Sequence, residues 1–103
     1  MTMKKVAVLG ATGSIGGNTL DVIARHPDRF RATVLTAHRQ VEALAELCVR
    51  HRPDLAVIAD PALEAELSRR LAAAGVRCEV ASGHAALAAA AASELCDTVV
   101  AAI

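Results

Sequence analysis

Three glycines spaced three apart, Gly10, Gly13 and Gly16 in "GATGSIG", are the residues whose type and spacing point most directly to chemistry. A short apolar run precedes them and an amphipathic one follows, so they occupy a strand-to-helix turn. Without a Cβ, such a turn lets backbone approach an anion closely. The first N–H groups of a helix have no partner within it, and the helix dipole adds positive character there. Free N–H groups around Thr12, Gly13, Ser14 and Ile15 are therefore expected to face a diphosphate. Gly10 shapes the turn and Gly16 lets the helix pack tightly on the sheet. No Gly-Lys-Ser/Thr follows, so this is not a Walker loop.

The end of the next strand selects the dinucleotide. NAD-binding turns usually have an acid about twenty residues beyond the glycines, where it accepts hydrogen bonds from the ribose 2′-hydroxyl. Here the place reads "TAHRQ", and Ala37, His38, Arg39 and Gln40 include no acid. A carboxylate would repel a 2′-phosphate, whereas the Arg39 guanidinium can clamp one through two parallel bonds. NADP is the expected cofactor. Other polar residues are expected to be structural. His26, His51 and His84 stand at helix ends, Arg69 and Arg70 on a solvated helix face, and Asn18 and Asp21 just inside the first helix. No residue is assigned to catalysis or to a metal.

These residues need elements to position them, and two periods alternate along the chain. Residues 4–10 are an unbroken apolar run, as in a strand covered on both faces. Residues 14–25 read as a helix with Ile15, Thr19, Val22 and Ile23 on one face, and His26-Pro27 stops it. A strand at 31–37 and a helix from Val41 to Arg52, stopped by Pro53, come next. A third strand follows at 54–60. Asp60-Pro61 then opens a helix with Leu63, Leu67 and Leu71 inward, and Gly75 ends it. Residues 76–82 alternate and belong at a sheet edge, 84–94 are an alanine-rich helix, and "DTVVAAI" is a last apolar strand.

The pattern implies an α/β fold: a doubly wound parallel Rossmann-type sheet with helices on both faces. The strands "VAVLG" and "TVVAAI" should be central neighbours, placing the topological switch point beside Gly10, where ligands bind in this architecture.

Bulk properties fit one domain over residues 1–103. Hydrophobic residues make up 54% and aromatics 1%, so the core must be aliphatic, with Phe30 the single aromatic. Eleven basic and eleven acidic residues balance without blocks of one sign, which excludes a nucleic-acid face. The N-terminus is neither a signal peptide nor a membrane span. Cys48, Cys78 and Cys96 lack the short spacings of metal knuckles or redox motifs and are expected to be small hydrophobes in a reducing cytoplasm.

Residues 8–30, "VLGATGSIGGNTLDVIARHPDRF", resemble the opening of the 1-deoxy-D-xylulose 5-phosphate reductoisomerase family. The GxTGSIG turn, the following TLDV and the P-x-x-F after the helix carry the resemblance. "PDLAVIAD", "SGHAA" and "DTVVAAI" fall in the family's order and extend it over the whole chain.

The resemblance implies an NADPH-dependent enzyme of non-mevalonate isoprenoid biosynthesis. Such an enzyme rearranges 1-deoxy-D-xylulose 5-phosphate and reduces the product to 2-C-methyl-D-erythritol 4-phosphate with a divalent metal, Mg²⁺ or Mn²⁺. It further implies that Thr12, Gly13, Ser14 and Ile15 hold the pyrophosphate and that His38, Arg39 and Gln40 form the 2′-phosphate loop. Ala101, Ala102 and Ile103 would run beneath the cofactor. His38 and Gln40 depart from the family's Gly-Lys-Asn or Gly-Arg-Asn loop, while Arg39 keeps its charge.

Family members are several times longer, and their metal-binding acids lie beyond Ile103. The chain is thus expected to be the amino-terminal NADPH-binding portion, ending after a central strand, prone to homodimerise and inactive alone. Two other readings stay open: a stand-alone NADP(H)-sensing module, or a piece of another NADP-dependent dehydrogenase. The Tyr-x-x-x-Lys pair of short-chain dehydrogenases is absent, since the chain has no tyrosine.

Overall fold

The computed structural model describes residues 3–102. Along the chain it contains β1 (Lys4–Leu9), α1 (Ser14–Arg25), β2 (Phe30–Ala37), α2 (Val41–His51) and β3 (Leu55–Ile58). A 3-10 turn (Pro61–Leu63), α3 (Glu64–Ala73), β4 (Glu79–Ser82), α4 (His84–Ala91) and β5 (Thr98–Ala101) follow. The five strands are parallel, in the order β4-β3-β2-β1-β5.

The chain winds outward from β1 to β4, and α4 then carries it back to the far side of β1. Right-handed crossovers put helices made in opposite directions on opposite faces. One core accordingly joins Val6 and Val8 to Leu20, Leu44, Leu67 and Leu71 of α1–α3. The other joins Ala7, Val34 and Val57 to Ala90 of α4. This is the doubly wound sheet that strand–helix alternation predicts. β4 lies at an edge and β5 beside β1, both as expected. Among the described residues β5 is itself a margin rather than a central strand, with Val99 exposed. An apolar run shows that a strand is covered by something, not on which side its partners lie.

α1 presents a different face from the one its hydrophobic pattern suggests. Gly16, Leu20 and Ile23 point inward, while Ile15 and Val22 are 61% and 49% exposed. The cause is steric. A Cβ on Gly16 would lie 2.4 Å from the Gly10 carbonyl oxygen and 2.8 Å from the Ala11 Cα, so the helix rests on the turn through this glycine. A hydrophobic stripe gives no weight to glycine, the residue that sets the rotation here.

β2 carries a bulge that strand alternation does not foresee. Its pairing with β1 passes from Val6↔Ala32 to Ala7↔Val34, leaving Thr33 as an extra residue. Thr33 is fully buried, and its hydroxyl donates to the Leu95 carbonyl at 2.6 Å. That bond anchors the link from α4 to β5. α4 stops at Ala91, short of the expected Glu94, because the Ser93 hydroxyl donates to the Ala90 carbonyl at 2.9 Å and accepts from the Leu95 N–H at 3.3 Å. The Asp60 carboxylate caps the next start as expected, accepting from the Ala62 N–H at 3.0 Å, although the first turn is 3-10. No helix among the described residues is long and apolar enough to cross a membrane.

Two substitutions test these constraints. Gly16→Ala must push α1 off the turn and should cost about 1–3 kcal/mol in urea unfolding, the usual scale of overpacking. Thr33→Val, which keeps shape but orphans the Leu95 carbonyl, should cost about 1–3 kcal/mol. Its amide exchange should rise first in residues 92–97, so unchanged protection there would refute the anchoring role.

Candidate dinucleotide-binding site

Gly10 ends β1 with φ of +77°, a conformation that L side chains rarely adopt. Buried Thr36 on β2 holds the turn in place. Its hydroxyl accepts from the Gly10 N–H at 3.0 Å, and its carbonyl accepts from the Ala11 N–H at 2.8 Å. Thr36 is not among the residues the glycine pattern points to; its signal is a hydroxyl near the end of the neighbouring strand.

The turn leads into the bare positive end of α1. Gly13 is the N-cap, no side chain caps the helix, and no acid lies in its first turn. Among the described residues the N–H groups of Thr12, Ser14, Ile15 and Gly16 find no acceptor. Gly13 differs from expectation: its N–H is donated to the Gly10 carbonyl at 3.2 Å, so Gly16 takes its place among the free donors. Gly13 also has φ of −83°, and a Cβ there would meet nothing nearer than the Gly10 oxygen at 3.6 Å. The fold itself does not require glycine at this position. A side chain here would sit in ordinary contact with the Gly10 and Ala102 carbonyl oxygens, at 3.6 and 3.9 Å, and would enter the cradle formed by the free N–H groups.

Beside the turn, Ala102 is buried and its N–H donates to the Leu9 carbonyl at 2.9 Å. Ala101 pairs with Leu9 at the exposed end of β5, and Ile103 lies outside the described residues. On the other side, Ala37 is buried while His38, Arg39 and Gln40 are exposed. The sheet ladder carries this loop onward: the Ala59 N–H donates to the Ala37 carbonyl at 2.9 Å and the Asp60 N–H to the His38 carbonyl at 3.2 Å. The Arg39 side chain, 70% exposed, reaches the Asp60 carboxylate at 3.5 Å. Asp60 is thus a second neighbour of the loop that sequence reading saw as a helix cap alone. A mostly aliphatic cavity of about 170 Å³ opens between the turn and the loop, lined by Leu9, Gly10, Thr36, Ala37, His38 and Ala59 among others.

The remaining polar candidates do not converge here. His26 packs edge-on against Phe30, with ring centroids 6.4 Å apart. His51 is half-buried at the end of α2, where burial and then Arg50 push its pKa down. Arg70 pairs with Glu66 at 2.9 Å, and Arg69, Asn18, Asp21 and His84 are exposed. Among the described residues no three His, Cys, Asp or Glu side chains form a metal-binding group.

Comparison with known proteins agrees with this geometry. The family model described as 1-deoxy-D-xylulose 5-phosphate reductoisomerase matches residues 6–103. A 1-deoxy-D-xylulose 5-phosphate reductoisomerase of Xanthomonas campestris pv. campestris (strain 8004) is 59% identical over 102 residues, covering 99% of this chain and 26% of the relative. The enzyme of Laribacter hongkongensis (strain HLHK9) is 54% identical, covering 98% and 26%. Among solved structures, the Zymomonas mobilis reductoisomerase in complex with NADPH superposes with a TM-score of 0.89 at 46% identity, covering 99% of this chain and 26% of that one. A DOX-P reductoisomerase in complex with NADPH, fosmidomycin and magnesium gives 0.92 at 40% identity, covering 98% and 24%. The chain spans about a quarter of the length of the relatives it matches. With a family model matching residues 6–103 and relatives more than half identical over nearly its whole length, the chain belongs to the 1-deoxy-D-xylulose 5-phosphate reductoisomerase family.

Proposed function

We propose that this chain is the NADPH-binding portion of a 1-deoxy-D-xylulose 5-phosphate reductoisomerase. The observation that carries the proposal is the cluster of partnerless N–H groups on Thr12, Ser14, Ile15 and Gly16 around Gly13. Those donors take the pyrophosphate, helped by the α1 dipole. Gly10 and Gly16 hold the turn in the required shape.

Arg39 takes the adenosine 2′-phosphate, with Ala37, His38 and Gln40 as its loop. Its exposed contact with Asp60 is of a kind worth less than about 1 kcal/mol, so a phosphate can displace it. Asp60 keeps the guanidinium near the loop until then. Ala101 and Ala102, at the end of β5, run beneath the cofactor. When bound, NADPH supplies hydride to the rearranged substrate.

In the whole enzyme the reaction converts 1-deoxy-D-xylulose 5-phosphate to 2-C-methyl-D-erythritol 4-phosphate with Mg²⁺ or Mn²⁺, whose ligands come from outside this chain. The chain by itself therefore binds cofactor without turnover. The margin of β5, with Val99 exposed, is the surface through which we expect isolated copies to self-associate.

Fluorescence titration with NADPH and NADH tests this reading. NADPH should bind about tenfold tighter or more, the worth of one charge-assisted contact. Arg39→Ala should bring the two cofactors to parity by weakening NADPH alone. Equal binding by the unmodified chain would remove Arg39 from the 2′-phosphate. Failure of a folded chain, judged by circular dichroism, to bind either cofactor would sink the proposal.

Gly13→Ala separates fold from ligand. Its circular dichroism and unfolding midpoint should stay close to those of the parent, while both cofactors weaken together by about tenfold, the scale of one lost charge-assisted bond. Unchanged affinity would show that the cradle is not the pyrophosphate site.

A further inference from the structure

In the sequence Asp60-Pro61 marks only a helix start, yet the fold gives the Asp60 carboxylate two neighbours. One oxygen accepts from the Ala62 N–H at 3.0 Å and caps the turn that leads into α3. The other lies 3.5 Å from the Nε of Arg39. Backbone bonds hold the carboxylate in this place. The Asp60 N–H donates to the His38 carbonyl at 3.2 Å, and the Asp60 carbonyl accepts from the Leu63 N–H at 3.1 Å. The Asp60 side chain is 28% exposed and that of Arg39 70%. A tethered anion thus faces a largely exposed cation.

We propose that Asp60 is a specificity-determining residue that acts through Arg39, competing with the 2′-phosphate of the cofactor for the guanidinium. It thereby holds the affinity for NADPH and NADP⁺ below what Arg39 free of it would give. The inference rests on the assignment of Arg39 to the 2′-phosphate.

The sign follows from when the contact exists. The Arg39–Asp60 pair is present before the ligand arrives and is broken as the phosphate takes the guanidinium. A contact made only in the unliganded chain populates a state that does not bind, and it weakens the observed affinity by that share. Asp60 cannot follow Arg39 to the ligand, because its cap bond and the strand ladder keep it where it is. NADH has a 2′-hydroxyl in place of the phosphate, so the pair stays closed on it and Asp60 costs it nothing. NADP⁺ carries the same phosphate as NADPH, so the competition also eases release of the spent cofactor.

Asp60→Asn isolates the charge, because Asn caps a helix about as well as Asp and keeps an oxygen for the Ala62 N–H. The 103-residue chain is titrated with NADPH and NADH by fluorescence, NADP⁺ is read by its displacement of NADPH, and circular dichroism checks the fold. The variant should bind NADPH and NADP⁺ about two- to fivefold tighter, the range of an exposed ion pair, and NADH as the unmodified chain does. Asp60→Ser, which caps through a hydroxyl, should behave alike. Without Arg39 there is no pair to break, so Asp60→Asn in an Arg39→Ala background should lose at least half of that gain. A loosened fold would move all the cofactors together. Unchanged or weaker NADPH binding by the folded variants, an equal shift for NADH, or a gain that survives undiminished without Arg39 would overturn the proposal and leave Arg39 at the phosphate. Failure of Arg39 itself shows separately, as equal NADPH and NADH binding by the unmodified chain, and would take this inference with it.

Discussion

The approach of Gly16 to the Gly10 carbonyl is the contact on which the rest of this structure depends. With no Cβ in the way, α1 rests directly on the turn that ends β1. That contact sets the rotation of α1, turns Leu20 and Ile23 into the core, and leaves Ile15 outside. It also points the bare end of the helix at the mouth between β1 and β5. Thr36 completes the constraint by taking both the Gly10 and Ala11 N–H groups, so the turn is fixed from the helix and from the sheet. The partnerless donors of α1 are therefore held in place before any ligand arrives, which removes an ordering cost from binding.

Topology explains why this mouth exists. Three outward crossovers and one return place β2 and β5 on opposite sides of β1. The connections leaving the carboxyl ends of β1 and β2 stay on one face, while α4 lies on the other. A crevice opens at that reversal, and the glycine turn, the Arg39 loop and Ala102 border it. None of the three lies near another in sequence; parallel pairing alone brings them to the same end of the sheet. The Thr33 bulge belongs to the same scheme, because it fastens the return segment at Leu95 to the middle of the sheet.

Much of this was legible from residues alone. Apolar runs divided by Pro27, Pro53 and Gly75 mark the elements, and "GATGSIG" marks the site, because both signals are local. What escaped depends on contacts between distant segments. The inward face of α1 could not be read from a hydrophobic stripe, since the residue that decides it has no side chain. The hydrogen bond from Gly13 to Gly10, the bulge at Thr33 and the pairing of Asp60 with Arg39 all need backbone geometry or the strand register. Sequence spacing carries none of these.

The three glycines of one motif answer to different demands. Gly10 is required by its backbone conformation and Gly16 by the helix resting on the turn, so both belong to the stability of the chain. Gly13 has ordinary backbone angles and a Cβ there would make only ordinary contacts, so neither demand applies. A glycine there leaves room for a group outside the chain to come close, as the proposed pyrophosphate would. A similar separation holds at the second strand. Arg39 is largely exposed and its contact with Asp60 is long, so the fold gains little from it. A hydrogen bond to a charged phosphate is worth about 1.5–3 kcal/mol, more than an exposed ion pair of this kind. The residues that contribute least to the folded chain are thus those with the most to gain from an anion. That asymmetry distinguishes a glycine turn shaped for a ligand from one that merely joins a strand to a helix.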